Sequence, residues 1–83
     1  MGKPQPLVSP AQCRAARAVL GWSQDRLAEV AGVSRTMVTD FEKGSRVPLP
    51  ATHKALQSAL EAAGIEFVSP KNGRAGLLFS DPQ

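Results

Sequence analysis

The segment QDRLAEVAGVSRTMVTDF, residues 24–41, decides the fold. Its pattern predicts two short helices, Gln24 to Ala31 and Arg35 to about Lys43, each preceded by a serine that can cap it. Gly32 follows the first helix, at the place where a residue with positive φ commonly closes a helix, and glycine adopts that conformation without steric cost. We therefore expect two helices joined by a tight turn.

Small and apolar side chains in and beside this segment occupy the positions that two crossing helices require. Ala28 supplies the small residue at the closest approach. Val38 and Phe41, three residues apart, share the face that holds the second helix against the first. Trp22 and Leu27 flank a helix start as a hydrophobic staple does, which predicts core packing for the tryptophan. The outward face of the second helix is then polar: Arg35, Thr36, Thr39, Asp40 and Lys43.

One further helix is predicted on each side of this segment. Residues 1–8, with two prolines, a glycine and a lysine, are expected to form an extended, flexible tail. Ser9 can cap a helix in which Pro10 takes the first position and Ala11 to Leu20 continue. After a proline-bearing loop, a helical pattern resumes from Ala51 to Ala63.

Beyond Gly64 the apolar periodicity changes from 3.6 to 2, which indicates strands. Ile65 to Ser69 and Ala75 to Ser80 are the two strand candidates, and the turn dipeptide Asn72-Gly73 lies between them. The prediction is a mainly α fold: a four-helix domain over residues 9–64, followed by a C-terminal β-hairpin extension over residues 65–83.

The apolar residues of the hairpin predict its register. Placing Ile65, Phe67, Leu77 and Phe79 on one face requires opposed residue numbers with an even sum, and hence an odd-length loop, with Phe67 opposite Phe79 or a close neighbour. Val68 and Leu78 would then lie on the other face. Because a two-stranded ribbon is marginally stable alone and has unpaired edges, we expect the hairpin either to join two subunits or to pack within one chain.

Composition excludes several classes of protein. The chain has 83 residues, a formal net charge of +3, one cysteine and one histidine. Cys13 and His53 cannot supply the four ligands of a structural zinc site, and one cysteine forms no internal disulfide. Cys13 lies on the inward stripe of its helix and is expected to be a small buried hydrophobe. Neither a signal peptide nor a membrane span is predicted, which favours a cytoplasmic protein.

No catalytic constellation is visible. The sequence offers no Ser-His-Asp set, no paired carboxylates and no phosphate-binding loop, so we predict neither an enzyme nor a cofactor or metal site. The modest positive charge suits a polyanionic partner such as DNA.

The stretch RAARAVLGWSQDRLAEVAGVSRTMVTDFEKGSRVPLP resembles the Cro/CI, or lambda-repressor-like, helix-turn-helix regulators. The resemblance covers roughly residues 9–64, and its most specific pieces are GWSQ, LAEVAGVS and FEKG. It implies that the helix Arg35 to Lys43 enters the major groove of double-stranded DNA. It places four residues against base edges: Arg35, Thr36, Thr39 and Asp40. It places four others against phosphates: Gln24, Ser34, Lys43 and Arg46.

The same resemblance implies a structural ion pair between Arg17 and Glu42 that supports this helix. Two positions depart from the family pattern. Asp40 is acidic where relatives often have a basic or amide side chain, and it either accepts a hydrogen bond from cytosine N4 or pairs with Lys43. His53 stands where relatives commonly have leucine.

Two functions remain open at this stage. The first is a sequence-specific DNA-binding transcriptional regulator, acting as a homodimer on a palindromic site in a bacterial or phage setting. The alternative is a protein-interaction module, such as an antiactivator or antitoxin, that binds a partner protein.

Overall fold

The structure, a computed structural model, describes residues 8–71 and 74–79; the side chains of 68–71, 74–76, 78 and 79 lie outside that description. Four helices precede a two-stranded antiparallel sheet. The elements are α1 (Pro10–Leu20), α2 (Gln24–Ala31), α3 (Arg35–Lys43), α4 (Pro50–Ala62), β1 (Ile65–Lys71) and β2 (Arg74–Phe79). The predicted fold class, four helices followed by a hairpin, is confirmed.

Serine caps define where the first three helices begin. The hydroxyl oxygens of Ser9, Ser23 and Ser34 each accept a hydrogen bond from a backbone N–H in the first turn of the helix that follows. The Gln12 side chain also accepts from the Ser9 N–H, which completes a capping box. Gly32 closes α2 with φ 72° and ψ 33°, the left-handed conformation that the sequence predicted for the turn into α3.

The core lies where α2 packs against α3 and α4. Its largest fully buried side chains include Leu27 from α2, Val38 from α3, and Leu56 and Leu60 from α4. Ala28 is buried as well, which fits its predicted place at a close helix crossing. Further members of the core are Cys13, Ala16, Phe41, Ala59 and Ile65, with Trp22 packed at its margin. Val38 and Phe41 therefore hold α3 against this core.

One residue of the predicted N-terminal tail belongs to the core. Val8, predicted to belong to the flexible tail, is 1% exposed and is one of the core residues. Its N–H donates to Gln57 Oε1 at 2.9 Å, and its carbonyl oxygen lies 2.6 Å from His53 Nε2. His53 also meets the Phe41 ring edge-on, with centroids 5.0 Å apart. The histidine thus ties the start of the domain to α4, while residues 1–7 lie outside the described residues.

The hairpin register has the predicted even sum. Ile65 pairs with Phe79, Phe67 with Leu77, and Val68 with Gly76. Phe67 is therefore opposite Leu77, a close neighbour of Phe79 on the predicted face. The expected odd-length loop is wrong: Lys71 pairs with Arg74, and a register shift between Val68 and Lys71 supplies the extra residue as an irregularity within the ladder.

One face of the hairpin packs on the helices of its own chain. Ile65 is buried in the core, and Phe67 and Leu77 are partly buried against it. The four-helix domain and the hairpin consequently share one core, which extends past the predicted boundary at residue 64. The predicted outer-face side chains of Val68 and Leu78 lie outside the described part of the chain.

Candidate nucleic-acid interface

Helix α3 presents a polar face to solvent while its apolar face is buried. Val38 and Phe41 point into the core, whereas Arg35, Thr36 and Lys43 are exposed. Thr39 and Asp40, predicted to share the outward face, are half-buried. The helix therefore combines a buried apolar face with a row of polar side chains that are exposed or half-buried.

An ion pair between Arg17 and Glu42 holds α3 to α1, as predicted. Arg17 Nε donates to Glu42 Oε2 and Arg17 Nη2 donates to Glu42 Oε1, both at 2.7 Å. Arg17 Nη1 also donates to the carbonyl oxygen of Trp22 at 2.9 Å. The side chains are 19% and 3% exposed, so the carboxylate is buried and the guanidinium nearly so. Two parallel N–H···O bonds make this the strong, geometrically specific form of the pair.

The Glu42 carboxylate has two further donors, which sequence reasoning missed. Gln24 Nε2 donates to Oε1 at 3.1 Å, and the Cys13 thiol lies 3.2 Å from Oε2. The Arg14 guanidinium donates to the Glu42 carbonyl oxygen. One signal was available for Cys13: it lies four residues before Arg17 on α1, and residues at that spacing share a helix face.

These contacts shift the acid–base behaviour of the buried groups. Burial alone would raise the pKa of Glu42, but hydrogen bonds from Arg17, Gln24 and Cys13 outweigh it and hold that pKa below its usual value of 4.5. The hydrogen bond to Glu42 raises the pKa of Arg17. Burial, and then the adjacent carboxylate, raise the pKa of the Cys13 thiol. The pair is therefore ionised and the thiol is protonated at neutral pH.

Gln24 joins this ion pair to the outer face of α3. Its Oε1 lies 2.9 Å from the Thr39 hydroxyl, while its Nε2 contacts Glu42. The polar network, defined as Arg17, Glu42, Gln24 and Thr39, thus runs from the interior to the surface. It connects one residue predicted to contact phosphate with one predicted to contact a base.

Asp40 pairs with a different residue from the one expected. Its Oδ2 lies 3.9 Å from Arg46 Nη1, and the alternative partner named from the sequence was Lys43. The chain turns back after α3 because Ser45 donates to the Asp40 carbonyl oxygen from both its N–H, at 3.1 Å, and its hydroxyl, at 3.2 Å. This turn brings the guanidinium of Arg46 near the carboxylate of Asp40.

Arg35 has an acidic neighbour on α2. Its Nε lies 3.5 Å from Asp25 Oδ1, and the two side chains are 66% and 74% exposed. Exposed pairs of this kind contribute little to stability, so the arginine remains able to reach a partner outside the protein. Ser34, also exposed, uses its hydroxyl oxygen to cap α3 by accepting from the Met37 N–H at 3.1 Å.

Within residues 8–71 and 74–79, no group of three or more His, Cys, Asp or Glu side chains is placed to hold a metal ion. Among the described helices, none is both long enough and apolar enough to span a membrane.

Comparison with known proteins gives two matches. A helix-turn-helix family model matches residues 14–65, which include all of α2, α3 and α4. The Escherichia coli (strain K12) protein named HTH-type transcriptional regulator SutR is 35% identical over 63 residues. That alignment covers 76% of this chain but 35% of the regulator, so the chain spans about a third of the length of this curated relative.

Proposed function

This chain belongs to the Cro/CI-like helix-turn-helix family, and from that membership we propose that it is a DNA-binding transcriptional regulator that inserts α3 into the major groove. The observation that carries the proposal is the polar outer face of α3 on a helix whose position is fixed by a buried ion pair. The family points to DNA binding rather than to catalysis.

The proposed contacts divide into two groups. Arg35, Thr36, Thr39 and Asp40 face base edges. Gln24, Ser34, Lys43 and Arg46 face phosphates. Gln24 is the first residue of α2 and Ser34 caps α3, so both lie at helix N-termini, where backbone N–H groups and the helix dipole favour an anion. Lys43 and Arg46 are exposed at the other end of α3, where they would flank the same groove.

We propose a homodimer on a palindromic site. Recognition helices that contact successive major grooves lie about 34 Å apart. The described part of the chain measures 33 × 32 × 22 Å, so two copies at that spacing would be close enough to touch. Val47 and Leu49, which are 92% and 75% exposed in the loop after α3, offer an apolar surface for that contact. The backbone edges of the two-stranded hairpin offer another.

Selection of bound fragments from random DNA tests the proposal. We expect enrichment of one sequence with two-fold symmetry. The affinity for that sequence should fall steeply with salt concentration, because each phosphate contact releases counterions. Recovery of no preferred sequence, with salt-insensitive or absent binding, would contradict a sequence-specific DNA-binding role.

A second function, binding a partner protein as an antiactivator or antitoxin does, is favoured by one observation. Val47 and Leu49 are exposed beside α3, and apolar side chains of that kind anchor protein contacts better than DNA contacts. Salt separates the two functions, because a contact through these side chains should persist at salt concentrations that release DNA.

A further inference from the structure

We propose that the buried ion pair fixes, through Gln24, the direction of the Thr39 hydroxyl, so that Thr39 meets DNA only as a hydrogen-bond acceptor. An acceptor at this position selects a base with an exocyclic amine, adenine or cytosine, over guanine or thymine. The inference rests on the proposed function, because it concerns which base α3 prefers once the helix lies in the major groove.

The carboxylate of Glu42 sets the direction of its neighbours. It is ionised and buried, so both its oxygens act as acceptors and have no proton to donate. Gln24 approaches Oε1 of this carboxylate at 3.1 Å. An amide oxygen at that distance would be repelled, whereas an amide N–H donates. The NH₂ group of Gln24 must therefore face Glu42.

The geometry of the Gln24 amide then orients Thr39. With its NH₂ group directed at Glu42, Gln24 has only Oε1 left to face Thr39, 2.9 Å away. A carbonyl oxygen accepts and cannot donate. Thr39 has one hydroxyl proton, and that proton is committed to Gln24. Arg17 and the NH₂ group of Gln24 therefore both donate to Glu42, and the Thr39 hydroxyl donates to Gln24 Oε1. No other assignment of donors and acceptors fits these contacts.

The orientation of the Thr39 hydroxyl limits which DNA groups it can bind. The Thr39 hydroxyl has already donated its one proton to Gln24. It therefore cannot donate to a phosphate oxygen, to guanine O6 or N7, or to thymine O4, and only its lone pairs remain available. It can accept from adenine N6 or cytosine N4 in the major groove. We therefore expect an amino base on the strand that Thr39 contacts.

Burial keeps the Thr39 hydroxyl in this orientation when the protein is in water. Glu42 is 3% exposed, and Gln24 and Thr39 are both half-buried. Reversing the amide would leave the carboxylate facing another acceptor and remove a donor from a buried charge, which costs more than an exchange between exposed groups would. A hydroxyl on the open surface would instead rotate to suit either kind of base.

The experiment pairs a protein substitution with a base analogue. The base pair that Thr39 contacts is first located as the one whose preference changes in Thr39→Val, a variant of similar shape without the hydroxyl. The base of that pair with an exocyclic amine in the major groove is then replaced by the analogue that lacks the amine, purine for adenine or 2-pyrimidinone for cytosine. We expect this analogue to weaken wild-type binding about 3- to 10-fold, the effect of one neutral hydrogen bond, and Thr39→Val binding by less than about twofold.

Gln24→Ala tests the role of the network. With the acceptor removed, the Thr39 hydroxyl can rotate, so we expect the preference for an amino base over a keto base on the contacted strand of that one base pair to decrease. Preferences at the other base pairs should remain, even if overall affinity decreases through the lost phosphate contact. Thr36→Val serves as the matched control, because it removes a hydroxyl from the same face of α3 without a bond to Gln24.

Three results would overturn the inference: a guanine or thymine preferred on the strand that Thr39 contacts, equal analogue effects in wild type and Thr39→Val, or an unchanged preference in Gln24→Ala. If Gln24→Ala does not fold cooperatively, the analogue comparison decides alone. Failure of the proposed function would look different, since the wild-type protein would then select no sequence at all.

Discussion

At the scale of single residues, Glu42 is the group whose burial depends most on its hydrogen-bond partners. A buried carboxylate costs several kcal/mol of lost hydration, and this cost is offset only when its oxygens are fully paired. Here a bidentate arginine, an amide and a thiol contact the two oxygens. Removing one partner should therefore lower the free energy of unfolding by more than the intact pair contributes to it.

A double-mutant cycle on this pair measures the coupling. We expect Arg17→Met or Glu42→Gln alone to lower the free energy of unfolding by about 2 to 4 kcal/mol, at or below the range for fully buried pairs, because Arg17 is partly hydrated. The double variant should lose less than the sum of the two single losses. Urea denaturation gives the three values, and strictly additive losses would show that the two residues are not coupled.

The lowered pKa of Glu42 predicts how stability depends on pH. A carboxyl group whose pKa is lower in the folded state than in the unfolded state stabilises the fold above its unfolded pKa, and that contribution is lost as pH falls through the folded pKa. We expect the free energy of unfolding to decrease as pH falls below 4.5, the usual value for this group. The decrease should be smaller in Glu42→Gln, as thermal unfolding between pH 3 and 7 would measure. If the free energy of unfolding depended on pH identically in the two proteins, the lowered pKa of Glu42 would be contradicted.

At the scale of elements, the sequence predicted helices better than it predicted contacts between them. The bounds of α2 and α3 follow from local chemistry, a serine before each helix and a glycine after it, and the structure has them as predicted. The Gln24–Thr39 bond depends instead on how those helices cross. The pairing of Asp40 with Arg46 depends on the turn at Ser45. Neither arrangement has a signature in residue spacing.

Helix α3 also supports a prediction about two kinds of DNA contact. Arg35, exposed at the start of the helix, has donors suited to a bidentate contact with guanine. Arg35→Ala should cost roughly 1 to 3 kcal/mol on the specific site and relax the sequence preference, whereas Lys43→Ala should weaken binding to all DNA about equally. Titration of the selected site and of an unrelated duplex separates these effects. An unchanged preference in Arg35→Ala would exclude this arginine from base contact.

At the scale of the whole molecule, the single core limits how two copies of the chain could associate. Ile65, Phe67 and Leu77 of the hairpin pack within their own chain, so this face is not available to a second copy. Truncation after Gly64 would remove core residues, and for that reason it would report on folding rather than on association. Substitutions at exposed positions are the better test.

The exposed loop side chains Val47 and Leu49 are the proposed contact between two copies. If they meet their counterparts in a homodimer, the double variant Val47→Ser, Leu49→Ser should weaken self-association at least about tenfold. Burying one such side chain is worth roughly 1.5 to 3 kcal/mol, and 1.4 kcal/mol corresponds to a factor of ten. Sedimentation equilibrium measures the association. Binding to DNA with one or two half-sites shows whether cooperativity is lost while the preference for each half-site is kept.

The matched control replaces two exposed apolar side chains outside the loop, Val19 on α1 and Val30 on α2, which are 48% and 42% exposed. The control variant Val19→Ser, Val30→Ser should associate as the wild-type protein does, because these side chains lie on helices outside the loop. Loss of association in the control alone would assign the interface to the helices. Wild-type dimerisation unchanged by either variant would favour the hairpin edges, where only backbone groups need meet. A wild-type protein that is monomeric in solution and binds two half-sites independently would contradict the homodimer, since adjacent copies would then touch without gaining free energy.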